Sequence, residues 1–195
     1  MLPDPTHHPL SPEAAVLVAP WRAWPRVSEI PSGHWLARPL FALFVYGCAA
    51  SLMTSGRVTL RLTVPAMLHG FYAPLLQMAA LAVVCRGALP FRRAVDLFFA
   101  GHASTSLAFL AYAAAWGFAP TAQVYEWSGI WLAVVAAALG WSAYVDYWFF
   151  RSIARHGRLG AIGSVAAHRA MWGIPAIAIF VGPAAWQEAL KWAGL

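Results

Sequence analysis

The stretch WSGIWLAVVAAALGWSAYVDYWFF, residues 127–150, runs directly into RSIARHGR, residues 151–158. Its 24 positions hold one charged side chain, Asp146, and the eight that follow hold three arginines. At a helical rise of ~1.5 Å per residue the apolar block measures ~36 Å, enough to cross a hydrocarbon core of ~30 Å. The arginines behind it suit the headgroup layer. The same rule applied along the chain gives further apolar blocks at about 38–55, 60–85, 94–117 and 160–183. A transmembrane β-barrel would instead show short alternating segments; these blocks are continuous and rich in Ala and Leu. The predicted fold class is therefore all-α: a polytopic membrane protein with a bundle of five transmembrane helices over 38–185, a Pro-rich N-terminal leader (1–37) and a short C-terminal tail (186–195).

Composition agrees. Of 195 residues, 61% are hydrophobic and 10% charged, against roughly 25% charged in soluble domains, and the mean hydropathy is +0.62. The net charge of +6 comes from twelve Arg and one Lys. Because these cations border apolar blocks, the bilayer and its anionic headgroups are the expected partner, and no nucleic acid is. Cys48 and Cys85 both fall in apolar stretches and read as buried thiols, not as a disulfide or a zinc site.

The arginines also orient the chain. The leader (Arg22, Arg26, Arg38), the 86–93 turn (Arg86, Arg92, Arg93) and the 151–158 turn (Arg151, Arg155, Arg158) fall on one side of the bilayer. Arg57, Arg61 and Lys191 fall on the other, and Arg169 lies inside span five. Cytoplasmic loops carry the excess of Lys and Arg, so the expected N-terminus is cytoplasmic and the C-terminus periplasmic. Trp116, Trp127 and Trp131 then mark the outer interface and Trp148 the inner one. The preference for Arg over Lys and the abundance of Ala point to a high-GC bacterium, hence to the inner (plasma) membrane.

The leader holds seven of the fourteen prolines, too many for a long helix, and no basic stretch followed by an apolar one that would mark a cleavable signal. Ser11-Pro12-Glu13 reads as a helix start. AAVLVAPWRAW, with Trp21, Trp24, Arg22 and Arg26, suits an amphipathic segment on the membrane interface as well as an unstructured tail.

Ionisable groups inside a membrane are costly and are the natural candidates for function. Asp96, His102, Asp146, His168 and Arg169 form such an inner-half set on spans three to five. His102 and His168 each lie eight residues past the start of their spans, ~12 Å in. Asp146 lies at matching depth and is the expected partner of Arg169. Asp96 is expected to pair with Arg92 or Arg93. The hydroxyls of the Gly101–Ser106 run are expected to serve His102. In span two, Pro65 and Pro74 free backbone carbonyls and bend the axis, making a candidate cavity near His69 and Gln77. Small residues on span four (Gly129, Ala133, Ala136, Ala137, Gly140) and span five (Gly160, Gly163, Ser164, Ala167) are expected at close helix contacts.

No Walker loop, nucleophile elbow, HExxH or acidic metal-nucleotide pair is present, and no loop is long enough for a catalytic domain. Three functional classes fit. The first is a non-enzymatic membrane protein: a scaffold, assembly factor or accessory subunit whose partners are other membrane proteins or copies of itself. The second is a redox protein in which His102 and His168 ligate a haem or another metal, although no cofactor is required by the pattern. The third is a small oligomeric transporter or channel lined by the inner polar set.

The stretches SGRVTLRLTVPAMLHGFYAPLLQ (55–77) and PFRRAVDLFFAGH (90–102), set in five spans behind a Pro-rich leader, resemble the Yip family of Golgi membrane proteins and their bacterial relatives. That resemblance covers about 38–185 and implies a non-enzymatic membrane protein acting through partners. The acidic and Tyr-Gly-Pro leader motifs of the eukaryotic members are absent, so it implies no Rab partner.

Overall fold

Glycine and proline set the breaks in this chain, and the rest of it is helical. A computed structural model describes residues 12–29, 35–118 and 128–192. Every element among them is a helix: α1 (Pro12–Val18), α2 (Pro20–Val27), α3 (Ala37–Ser55), α4 (Leu60–Gly70), α5 (Tyr72–Val84), α6 (Phe91–Phe118), α7 (Ser128–Ser152) and α8 (Arg158–Trp192). Ser11, Pro120 and Trp127 lie outside the described residues.

α3 stops at Gly56, whose φ of 67° is the left-handed cap that a residue without Cβ adopts without strain. The Gly56 amide donates to Leu52 O at 2.8 Å. Buried Ser51 then organises the turn: its hydroxyl donates to Arg57 O at 2.9 Å and accepts from the Thr59 amide at 3.0 Å. This turn returns the chain as α4 along α3. α4 and α5 part at Phe71 and together form one long apolar stretch, Leu60–Val84. Pro74 sits in the first turn of α5, where a missing N–H costs no intrahelical bond, whereas Pro65 lies within α4.

Among the described residues, Ala37–Ser55 and Leu60–Val84 are each long and apolar enough to cross a bilayer. Phe91–Ala103 and Thr105–Phe118, meeting at a 40° bend, form a third candidate if they count as one span. α7 and α8 are 25 and 35 residues long. α8 runs on past the expected end of span five to Trp192, so the segment read as a tail begins inside this helix. AWQEALKW offers strong helix formers and no glycine or proline to stop it.

The closest backbone approaches are made by α3 with its two neighbours. A methyl added at Gly117 on α6 would run into the Leu52 carbonyl, and one at Gly47 would lie 2.8 Å from Thr63 O on α4. Gly70 accommodates the Tyr46 ring in the same way. The expected small residues of span four do something else. Gly129, Ala133, Ala136, Ala137 and Gly140 are all exposed, and nothing lies within 4 Å of a methyl added at Gly129 or Gly140. On α8, Gly160, Gly163 and Ala167 are exposed too, and of the expected set Ser164 alone is buried. α7 packs internally through its aromatic C-terminal half, so its small face is left over.

That aromatic half belongs to the core. Leu81, Val95, Leu97, Phe98, Val145, Phe149 and Phe150 form one buried cluster with Trp24 and Val27 of α2 and Val16 of α1. The leader helices are thus part of the bundle and do not lie flat beside it. Trp24 is completely buried, rests on Gly101, meets Phe149 edge-on at 5.2 Å and donates its indole N–H to Val145 O at 3.2 Å. Trp141 of α7 returns the bond, donating to Leu17 O at 2.8 Å. Trp141 lies ten residues before Arg151, ~15 Å along the helix, so α1 reaches well into the bundle. The apolar face of AAVLVAPWRAW finds a better partner in α6 and α7 than in headgroups. Cys48 and Cys85 are buried free thiols.

Candidate functional site

Asp96, His102, Asp146, His168 and Arg169 divide into two ion-paired groups and one histidine with no hydrogen-bond partner among the described residues. The first group centres on Asp146 of α7, 2% exposed. Arg169 of α8 donates to Asp146 Oδ2 through Nε at 2.8 Å and Nη2 at 2.7 Å. Nη2 also reaches Ser142 Oγ at 2.8 Å, and Nη1 reaches Leu139 O at 3.3 Å. Residues 139, 142 and 146 share one helix face by their spacing of three and four, so a single guanidinium grips two turns of α7. Asp146 was legible as the partner from its depth; Ser142 could have been found from its spacing to Asp146.

His102 of α6 completes the group. Its Nε2 lies 2.8 Å from Asp146 Oδ1 and its Nδ1 2.7 Å from Phe98 O. Both neighbours are acceptors, so the ring donates to both only when it carries both protons. Of the hydroxyls expected to serve this histidine, that of Ser106 is used otherwise: its Oγ donates to the His102 backbone carbonyl at 3.1 Å. Trp24 packs beside the imidazole, ring centroids 6.5 Å apart, and the leader therefore covers the cluster.

The second group centres on Asp96, 1% exposed. Arg93, one of its two expected partners, lies 3.3 Å away. The closer partner is Arg38 at the start of α3, whose Nη1 meets Asp96 Oδ1 at 2.6 Å and Asp96 O at 3.1 Å. Arg93 also donates to Ser28 O at 2.7 Å, tying down the end of the leader. Arg92 stacks its guanidinium over Trp35 at 6.0 Å. Arg38 carries no sequence signal beyond its place at an inner end, because its partnership needs α3 and α6 side by side.

His168 of α8 is 1% exposed, and neither ring nitrogen has a hydrogen-bond partner among the described residues. Phe98 and Phe150 meet it edge-on at 4.9 and 5.8 Å. The Gln77 backbone faces the ring without reaching hydrogen-bond geometry. Gln77 is half-buried beside α8, whereas His69 is exposed and packs edge-on with Tyr72 at 6.3 Å.

Phe98 contacts both His102 and His168: it stacks on His102 at 4.2 Å and meets His168 at 4.9 Å. With both His102 nitrogens engaged, that ring has none to give a metal. Among the described residues no group of three or more His, Cys, Asp or Glu could hold a metal ion. The arrangement can join four helices electrostatically in an apolar setting, and it presents one unbonded imidazole beside an ion pair. No protein-family model, no curated protein and no solved structure matches this chain.

Proposed function

We propose that this chain is a five-span membrane protein with a cytoplasmic N-terminus, acting without catalysis as a scaffold, assembly factor or accessory subunit that packs against other membrane chains. The supporting observation is the division of labour among its small residues. The chain's own close contacts use Gly47, Gly70, Gly101 and Gly117, while Gly129, Ala133, Ala136, Ala137 and Gly140 face outward from α7. Small residues at that spacing let another helix approach closely in lipid. The inner polar set fits the same reading. Asp96, Asp146, Arg38 and Arg169 are satisfied within the chain, as a rigid bundle needs.

Blue-native electrophoresis after gentle solubilisation tests this. The protein should migrate in a complex, and Gly140→Leu should disperse that complex while the thermal midpoint of the chain stays unchanged. A wild-type protein that is strictly monomeric, with no co-migrating species, would overturn the reading.

A further inference from the structure

The turn between α7 and α8 carries a polar groove that the inner cluster does not use. It encloses about 550 Å³ and is lined by Tyr147, Trp148, Arg151, Ser152 and Arg158. Two of these five residues are cations, and none is a carboxylate. Arg151 is held in place by donating through Nη1 to His156 O at 2.9 Å. His156 is fixed in turn, its Nδ1 2.7 Å from Ser164 Oγ and its ring stacked on Phe150 at 6.1 Å. Arg158 is exposed and makes no ion pair or hydrogen bond with the described residues. Tyr147 and Trp148 pack edge to face at 5.5 Å. The Trp148 indole N–H is covered and finds no acceptor among the described residues.

We infer that this groove binds the phosphate of an anionic phospholipid headgroup in the inner leaflet. Two guanidinia without a carboxylate between them make the groove electropositive and favour an anion there. Their planar forks match phosphate oxygens in pairs, and the Ser152 hydroxyl adds a neutral donor. Tyr and Trp at the headgroup level are suited to the glycerol region above the phosphate. The volume lies within the ~300–1,000 Å³ of small-molecule sites. Polybasic segments at the cytoplasmic face draw anionic lipid in general; here an open groove and a fixed Arg151 convert that attraction into a defined site. The inference rests on the inward placement of the 151–158 turn, which reporter fusions check separately.

The full-length protein is reconstituted in nanodiscs of phosphatidylcholine mixed equally with phosphatidylglycerol, released into detergent, and its retained lipids are weighed by native mass spectrometry. Wild type should retain phosphatidylglycerol over phosphatidylcholine. Arg158→Gln should weaken that retention about fivefold and the Arg151→Gln/Arg158→Gln pair about thirtyfold, while Arg61→Gln at the outer turn leaves it unchanged. Should the double variant not fold, the exposed Arg158→Gln decides alone. Persistence of the lipid against millimolar inorganic phosphate assigns the site to the headgroup. Displacement by inorganic phosphate alone keeps the phosphate chemistry and overturns the lipid source. Equal retention of the two lipids, or retention unaffected by Arg158→Gln, overturns the site.

Discussion

Asp146 illustrates how one carboxylate in an apolar setting is held: three bonds within 2.8 Å, two from Arg169 and one from His102, leave neither oxygen bare. Removing one side of such a pair strands the other charge. Asp146→Asn should therefore lower stability by about 3–5 kcal/mol, read as a fall in thermal midpoint in detergent. Replacing both partners, Asp146→Leu with Arg169→Leu, should recover most of that loss, because burying two charges itself carries a desolvation cost. His168 predicts the opposite behaviour. A covered imidazole with two unbonded nitrogens costs about 1–3 kcal/mol relative to an apolar side chain of similar shape. His168→Leu should leave the midpoint unchanged or raise it. A clear loss of stability would reveal a bonding partner for the ring that the isolated chain lacks.

At the scale of elements, the leader matters most. α1 and α2 are short, and isolated helices of 7 and 8 residues have little stability of their own. They persist because Trp24 fills the space above Gly101 and two indole N–H groups exchange backbone bonds between leader and α7. Trp24→Ala should cost about 3–5 kcal/mol. Gly101→Val should produce the same effect from the other side by occupying the indole's place. Limited proteolysis around residues 28–36 gives the measurement: both variants should be cut faster than wild type, with α3 to α8 still resistant. The helices α3, α4 and α6 form the complementary case, held by backbone proximity at Gly47 and Gly117, where a larger side chain meets main chain that cannot yield.

For the whole molecule, the proposed topology makes a binary forecast. Alkaline phosphatase fused after Gly56 should be active, and fused after Gly87 or Gly157 inactive, since the positive-inside rule places the first turn outside and the other two inside. Inversion of that pattern would reverse the orientation; activity at Gly87 and Gly157 as well as at Gly56 would remove span two. The molecule is also asymmetric across its thickness. Its buried aromatic core, both ion-paired groups and the basic groove occupy the half that carries most of the arginines, while Gly129, Ala133, Ala136, Ala137 and Gly140 of α7 are small and exposed. That small face of α7 is thus where another helix has room to pack.

By itself the sequence determined the helical class, the helix ends at Gly56 and near Pro90, and the partnership of Arg169 with Asp146. Each of these follows from local quantities: apolar run length, cap chemistry and depth counted at a fixed rise per residue. Tertiary structure alone decided that Trp24 is core and not an interface anchor, that Arg38 is the closer partner of Asp96, that His168 is unbonded, and that the small residues of α7 face away from the chain. Those outcomes depend on which helix lies beside which and on the rotation of each about its axis. Apolar periodicity does not encode that rotation when nearly every face of a helix is apolar.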